Sequence, residues 1–262
     1  MALNSSILIM NLTAEIERSC TRSPQAHHCS RCAAEQTRSQ WGGEDRIMLP
    51  TLMQAAGGKR GLFVELGALD GVRLSNTYML EACFGWRGLL IEANSLNYEQ
   101  LLRSNRTHSK FVHRGICPGV GPNRTVLISR HGDEISGQMD AMTARHKYKW
   151  RMELNKNGGG VEPVPCATLP ELMEEHGLAS GATFLSLDVE GAEEIVLRTA
   201  FPALPFDAVY VEVDGTNPAK DARVGSLLRA AGLQLLYRFR VAGCQGGGCS
   251  DFYLRNPAAQ SN

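Results

Sequence analysis

The sequence has no excess of either charge. It contains 27 Lys and Arg residues and 27 Asp and Glu residues, so its formal net charge at neutral pH is zero. Surfaces that bind nucleic acids or anionic membranes without specificity usually carry an excess of positive charge. The balance argues against such a surface, and we expect no nucleic-acid partner.

The sequence also lacks a long apolar run. No stretch approaches the ~18 apolar residues of a transmembrane helix, and the apolar stretch SSILIMNL (residues 5–12) is short. No basic segment precedes it, so a signal peptide is not evident. The sequence as it stands predicts a cytoplasmic protein, and the secretory pathway stays open if the N-terminus is truncated.

Eight cysteines in 262 residues do not require a disulfide scaffold. They would pair in a secretory compartment and stay reduced in the cytosol. The stretch HHCSRC (residues 27–32) is a weak zinc motif, and Cys244 and Cys249 form a second, distant pair. We expect no metal at either place. N-glycosylation sequons, which matter only in the secretory pathway, begin at Asn4, Asn11, Asn105 and Asn123.

Apolar runs and helical patterns alternate from about residue 41 onward. Continuous short apolar runs are typical of strands that are buried on both faces. We predict strands at residues 61–66, 88–93, 110–116, 125–129, 183–189, 207–213, 233–239 and 251–255. Only a glycine-rich stretch separates the last two. The pattern predicts an α/β fold with a doubly wound, mostly parallel sheet and a C-terminal antiparallel hairpin.

Two segments fall outside this alternation. Residues 1–40 are polar and show little periodicity, so we expect a peripheral N-terminal segment. Residues 130–160 are polar, basic in their second half and glycine-terminated, as is typical of an insertion or lid. The main domain is therefore expected at residues 41–256, followed by a short tail at 257–262.

The segment FVELGALDG (residues 63–71) joins the first predicted strand to the next helix. Gly67 and Gly71 allow a tight turn and a close approach of the backbone to a ligand. Glu65 or Asp70 can bind an amino group there, whereas a pyrophosphate would prefer bare backbone amides. The two acids therefore favour a ligand with an amino group, such as S-adenosylmethionine.

Glu92 ends the second predicted strand, some two dozen residues after this loop. A carboxylate there can accept both ribose hydroxyl groups of an adenosine, in S-adenosylmethionine or in NAD. Leu69 stands where a dinucleotide-binding loop would have its middle glycine, which disfavours NAD. The opposing interpretation is a plain β–α turn beside a solvent-exposed Glu92.

Three longer blocks follow one another within residues 40–215: FVELGALDGVRLSNTYMLE, GWRGLLIEANSLNYEQLLRSNR and FLSLDVEGAEEIVL. They resemble the FkbM-type methyltransferase family, and most of all its eukaryotic branch that includes Star-like proteins. The resemblance implies a class I methyltransferase fold that binds S-adenosylmethionine. It also implies cofactor contacts from the first motif, the ribose acid and the loop flanking the adenine. These are Glu65, Gly67, Asp70 and Gly71, then Glu92, then Arg114–Cys117.

The third block ends the fourth main strand in Asp188-Val-Glu190-Gly191, and Glu212 and Asp214 end the next strand. Carboxylates at neighbouring strand ends can accept a proton or hold a hydroxyl acceptor. They can also bind a divalent metal, for which the sequence gives no support. The opposing interpretation is that Asp188 caps the next helix and Glu190 is an acid in its first turn. Weaker candidates for the base are His113, His131 and His146.

We therefore expect an S-adenosylmethionine-dependent enzyme that methylates a hydroxyl group of a small molecule or a glycan. Asp188, Glu190 and Glu212 are its expected catalytic residues. The expected cofactor-binding residues are Glu65, Gly67, Asp70, Gly71, Glu92 and Cys117. The alternative is a non-catalytic, Star-like protein that acts in cargo export through the secretory pathway. An NAD-dependent dehydrogenase is a weaker third interpretation.

Overall fold

The structure is a computed structural model that describes residues 29–40, 43–119, 121–130, 132, 134–144, 147–148, 160–213, 215–240 and 250–255. Its helices are α1 Cys29–Glu35, α2 Glu44–Ala55, α3 Tyr78–Phe84, α4 Ser95–Leu101, α5 Leu169–Glu175, α6 Glu193–Ala200 and α7 Pro218–Ala230. Its strands are β1 Leu62–Leu66, β2 Arg87–Glu92, β3 Ser109–His113, β4 Gly115–Ile116, β5 Thr125–Arg130, β6 Gly160–Ala167, β7 Ala182–Leu187, β8 Phe206–Glu212, β9 Leu233–Phe239 and β10 Ser250–Arg255. Among these helices, none has the length and apolar character needed to cross a membrane.

The main sheet has seven strands in the order β3-β2-β1-β7-β8-β10-β9. Neighbours from β3 to β8 pair in parallel, whereas β10 pairs antiparallel with both β8 and β9. The predicted α/β fold with its C-terminal hairpin is therefore confirmed. The direction in which the strands are added reverses between β1 and β7, and ligands bind at such a switch point, beyond the carboxyl ends of the strands.

Apolar side chains cover both faces of the main sheet. Successive residues of a strand point to opposite faces. Val64 therefore joins a cluster with α5, α6 and α7, while Phe63 joins a cluster with α2 and α3. Because both faces are buried, the strands appear in the sequence as continuous apolar runs.

A second sheet has three strands in the order β4-β6-β5. The single strand predicted at 110–116 is wrong, because the chain leaves the main sheet after β3 and enters the second sheet as β4. Gly115 permits this, since a Cβ atom there would lie 2.3 Å from Val126 of β5. Strand β6 was missed because Pro163 and Pro165 interrupt its pattern. They are two residues apart, so their missing N–H groups lie on one side, and the strand still pairs with β5.

Two disulfides join distant segments within the described residues. Cys32–Cys83 links α1 to α3, and Cys117–Cys166 links the end of β4 to β6. These four are the cysteines whose side chains the structure describes, and none of them is free. The zinc interpretation of residues 27–32 is wrong, because Cys32 is oxidised. Residues 27 and 28 and the pair Cys244 and Cys249 lie outside the described residues.

Candidate cofactor and catalytic site

A cavity opens at the carboxyl edge of the main sheet, at the switch point between β1 and β7. Residues from the ends of β1, β2 and β7, from the second sheet and from the segment 134–138 line it. It contains about 930 Å³ of empty space, part of it open to solvent. A cavity at this position is where doubly wound sheets bind their ligands.

The loop after β1 runs directly against the end of β7. Gly67 has a φ of 78°, and a Cβ atom there would lie 1.8 Å from the carbonyl oxygen of Asp188. The N–H of Asp188 donates to the carbonyl of Leu66 at 3.2 Å, and the N–H of Gly67 donates to the carbonyl of Ile91 at 3.1 Å. A side chain at position 67 would therefore push apart the two loops that meet at the cavity.

Glu92 lies in the cavity wall with only 6% of its surface exposed. Its carboxylate accepts the N–H of Leu69 at 2.8 Å and that of Asn94 at 2.7 Å. Burial raises the pKa of Glu92 to about 7, although these backbone donors oppose the shift. The interpretation of a solvent-exposed Glu92 is wrong, because this carboxylate ties the loop after β1 to the end of β2.

Glu65 also borders the cavity, but its carboxylate organises the turn before α3. It accepts the N–H of Asn76 at 3.0 Å and the hydroxyl groups of Ser75 at 2.8 Å and Thr77 at 2.6 Å. Burial raises the pKa of Glu65, and Arg106, 3.9 Å away, opposes this shift only in part. The acid at the end of β1 thus has a structural role that the sequence did not predict.

Arg106 is a buried residue that the sequence analysis did not single out. Its guanidinium donates to Glu81 at 2.8 Å, to the carbonyl of Gly71 at 2.8 Å and to the hydroxyl of Thr77 at 2.9 Å. These partners lie 25 to 35 positions away along the chain, so no local pattern marks them. One side chain therefore fixes the loop after β1, the turn before α3 and α3 itself.

Asp70 and Gly71 shape this loop and are not among the residues that line the cavity. A carboxylate oxygen of Asp70 accepts the N–H groups of Val72 at 2.8 Å and Arg73 at 2.7 Å. Gly71 has a φ of 78°, and a Cβ atom there would meet Leu101 of α4 at 2.5 Å. Both residues close the turn and seat it on α4.

The second sheet supplies the opposite wall. Arg114, Gly115 and Ile116 line the cavity, whereas Cys117 does not. Cys117 is held by its disulfide to Cys166 and donates its N–H to the carbonyl of Ala167 at 3.0 Å. The segment Arg114–Cys117, predicted to flank the adenine, therefore reaches the cavity. Cys117 itself lies outside the lining and holds the segment in place.

Asp188, Glu190 and Glu212 come together as predicted from their strand ends. One carboxylate oxygen of each lies within 4.8 Å of those of the other two. Asp188 and Glu190 line the cavity. Oxygen ligands at this spacing suit a divalent cation as well as a hydroxyl group. Asp214 lies outside the described residues.

The loop that carries Asp188 and Glu190 is held by Glu193, which the sequence analysis missed. Its carboxylate accepts the N–H groups of Val189 at 3.2 Å and Gly191 at 3.0 Å, and Lys220 at 2.5 Å. Burial alone would lower the pKa of Lys220, but the Glu193 carboxylate raises it well above the ordinary value. The interpretation of Asp188 as a helix cap is wrong, because α6 begins at Glu193 and no side chain caps it.

The histidines do not supply a base in the described part of the site. His113 stacks on Tyr98 with ring centroids 4.9 Å apart, and its Nε2 lies 3.0 Å from the carbonyl oxygen of Ala93. It is not among the residues that line the cavity. His131 and His146 lie outside the described residues.

A parallel sheet with a cavity at its switch point and an acid at the end of β2 is typical of proteins that bind an adenosine-containing cofactor. A comparison with protein families agrees, since residues 65–238 match the Methyltransferase FkbM domain. This match covers about two thirds of the chain, and it begins at Glu65 of the cofactor loop. The chain belongs to the FkbM methyltransferase family and is an S-adenosylmethionine-dependent methyltransferase.

Several solved structures resemble this one at low sequence identity. Fibrillarin from Aeropyrum pernix, solved with natively bound S-adenosyl-L-methionine, has a TM-score of 0.43 and 14% identity and covers 75% of this chain and 67% of its own. The METTL16 MTase domain has a TM-score of 0.45 and 11% identity, and the match covers 87% of this chain and 77% of that domain's chain. Precorrin-6y C5,15-methyltransferase from Geobacter metallireducens has a TM-score of 0.42 and 8% identity, and the match covers 84% of this chain and 94% of the enzyme's chain. A search of curated sequences found no significant relative.

Replacing Arg106 by Met should destabilise the domain strongly. The change leaves Glu81 and Glu65 buried without their counter-charge, which should lower the free energy of unfolding by about 3–5 kcal/mol. Urea denaturation measures this loss. Arg198→Met is the matched control, because Arg198 pairs with Glu194 at the surface and should contribute less than ~1 kcal/mol. Equal losses in both variants would contradict the role of Arg106.

The stability of the ligand-free protein should depend on Glu92 and pH. The folded-state pKa of about 7 exceeds the ordinary 4.5, so the folded state holds the proton more tightly. This contribution is complete below about pH 4.5 and is lost as pH rises through about 7. Relative to Glu92→Gln, the wild type should lose about 3 kcal/mol at most between pH 4 and 8. A constant difference across this range in urea titrations would refute the buried, proton-binding carboxylate.

Proposed function

We propose that the chain methylates a hydroxyl group of a small molecule or a glycan, with S-adenosylmethionine bound in the cavity between β1 and β7. Within the family, the three sequence blocks favour the eukaryotic branch with Star-like proteins. The catalytic domain would span residues 41–256, with residues 130–160 as an insertion. Nothing in the comparisons supports the non-catalytic alternative.

The observation that carries this proposal is the buried Glu92 carboxylate in the cavity wall. Ribose hydroxyl groups can donate to its oxygens, and the backbone donors at Leu69 and Asn94 already hold it in place. A charge-assisted hydrogen bond of this kind is stronger than a neutral one. The loop at Gly67 and Leu69 would then border the sugar, with Arg114–Ile116 beside the adenine.

The other end of the cavity suits the amino-acid part of the cofactor. Glu65, Gly67 and Asp188 meet there, because the loop after β1 touches the end of β7. The Glu65 carboxylate favours an ammonium group over a phosphate at this end of the cavity. Asp70, Gly71 and Cys117 would contribute indirectly, since they fix the two walls rather than touch the ligand.

The three carboxylates of Asp188, Glu190 and Glu212 would bind and activate the methyl acceptor. S-adenosylmethionine supplies an activated methyl group on a sulfonium. The acceptor oxygen would gain the methyl group as the carbon–sulfur bond breaks, and the electron pair of that bond would return to sulfur. A carboxylate at Asp188 or Glu190 takes the hydroxyl proton and orients the oxygen. A divalent cation held by the same three acids is the second way in which they can orient a hydroxyl.

Calorimetric titration of S-adenosylmethionine into the purified protein tests the cofactor site. The wild type should bind, and Glu92→Ala should weaken binding by tenfold or more, because a charge-assisted contact contributes ~1.5–3 kcal/mol. Glu174→Ala is the control, since Glu174 is exposed on α5, away from the cavity. Folded wild-type protein that does not bind would overturn the proposal.

Asp188→Asn separates catalysis from binding. We expect kcat to fall by about 10²–10⁴ through loss of the proton acceptor, with the Kd of S-adenosylmethionine changed only a few-fold. The assay follows a labelled methyl group into a panel of small-molecule and oligosaccharide hydroxyl acceptors, with and without EDTA. A rise in KM with unchanged kcat would assign Asp188 to binding. Loss of activity with EDTA would assign the acids to a metal.

The Cys117–Cys166 disulfide should support the cofactor wall. Strand β4 has only two residues and pairs with β6 at two positions, so the disulfide is its main anchor. Cys117→Ser with Cys166→Ser should weaken S-adenosylmethionine binding by about tenfold, or ~1.4 kcal/mol. Cys32→Ser with Cys83→Ser should lower the Tm and leave the Kd unchanged, because this disulfide joins α1 to α3. Equal Kd values in the two double variants would contradict the role of the Cys117–Cys166 disulfide in supporting the cofactor wall.

A further inference from the structure

We propose that Asn123 carries an N-linked oligosaccharide and that the chain matures in the oxidising, glycosylating part of the secretory pathway. The inference goes beyond methyl transfer and does not depend on it. Two independent observations support it: the state of the cysteines and the surroundings of the sequon Asn123-Arg124-Thr125.

The cysteines indicate an oxidising compartment. The two disulfides span 51 and 49 positions, so each joins segments that only the folded chain brings together. All four cysteines whose side chains the structure describes are paired. Structural disulfides persist in the secretory pathway and are rare in the cytosol, where thiols are kept reduced. The cytoplasmic location predicted from the sequence does not fit this pairing.

The turn before β5 presents Asn123 to solvent. Asn123 is exposed and has a φ of 63°, a left-handed conformation that asparagine tolerates in turns. Its side chain makes no hydrogen bond with another described residue. Thr125, the third residue of the sequon, is exposed as well. An attached glycan would therefore extend into solvent without displacing a contact.

The residues around Asn123 hold this turn in shape. Arg124 donates to the carbonyls of Gly119 and Gly121 and pairs with Glu171 at 2.5 Å. The Cys117–Cys166 disulfide fixes the base of the turn. These contacts hold the backbone around Asn123 in place, while its side-chain amide is exposed to solvent.

In the second described sequon, Asn105-Arg106-Thr107, the side-chain amide already makes a hydrogen bond, unlike that of Asn123. Nδ2 of Asn105 donates to the hydroxyl of Tyr78 at 3.0 Å, and the middle residue is the buried Arg106. A sugar on that nitrogen would replace a native hydrogen bond beside the buried guanidinium. Of the two sequons in the described part of the chain, we therefore assign a glycan to Asn123 and none to Asn105.

The transfer requires a lipid-pyrophosphate-linked oligosaccharide and the oligosaccharyltransferase of the secretory pathway. Nδ2 of Asn123 forms a bond to the anomeric carbon of the first sugar, and the bond from this carbon to the phosphate oxygen breaks. The lipid pyrophosphate leaves with that electron pair. The amide nitrogen loses one proton to the transferase.

One tryptic peptide reports both observations. Cleavage after Arg114 and Arg124 releases residues 115–124, which contain Cys117 and Asn123. The natural protein is isolated from its own organism with free thiols alkylated at lysis. It is then reduced, alkylated with a second reagent and treated with a peptide N-glycosidase in ¹⁸O water. We expect Cys117 to carry the second label and position 123 to read as ¹⁸O-labelled aspartate. An unmodified asparagine, or Cys117 with the first label, would overturn the proposal.

Variants expressed from the natural gene in the same organism provide the control. Asn123→Gln and Thr125→Ala should both decrease the glycosidase-sensitive mobility shift on gels by the mass of one glycan. Thr125→Ser keeps the sequon and should leave the wild-type shift unchanged. A shift of wild-type size in Asn123→Gln would contradict the assignment.

Discussion

Arg106 places a positive charge inside the domain, between the loop after β1 and the helix α3. A buried charge is tolerated only when opposite charges and hydrogen bonds compensate its lost hydration. Glu81, at 2.8 Å, and Glu65, at 3.9 Å, provide the opposite charge. Burial alone would raise the pKa of both acids. Arg106 and Ser109 reverse this for Glu81, whereas burial prevails for the more distant Glu65.

The geometry of the candidate cofactor site follows from this cluster. Arg106 holds the carbonyl of Gly71, and Glu65 holds the turn at 75–77, so the loop after β1 is fixed from behind. At its front, the same loop meets Asp188 at Gly67 and Glu92 at Leu69. Rigid support of this kind lets a loop present groups to a ligand at little cost in ordering.

The carboxylates of the site depend on a second buried ion pair. Glu193 and Lys220 lie on α6 and α7, and Glu193 fixes the backbone that carries Asp188 and Glu190. Three acids can therefore stay close together in spite of their mutual repulsion. The two ion pairs support the two loops that meet at the cavity.

The sequence predicted what depends on local patterns. Continuous apolar runs identified the main sheet, and the glycine–acid loop and Glu92 identified the edge where the cavity lies. Long-range partners left no such pattern. Arg106 acts on residues 25 to 35 positions away, and the disulfide pairing depends on the folded chain. The prolines of β6 interrupt its apolar pattern, so this strand was not predicted. The structural roles of Asp70 and Gly71 became evident only from their contacts in the folded chain.

The central claim is that S-adenosylmethionine lies between the loop after β1 and the second sheet, with its ribose on Glu92. A crystal structure of the protein with S-adenosylhomocysteine tests it most directly. The account predicts both ribose hydroxyl oxygens within hydrogen-bonding distance of the Glu92 carboxylate and the adenine beside Arg114–Ile116. A ligand bound elsewhere, or with its ribose away from Glu92, would contradict it.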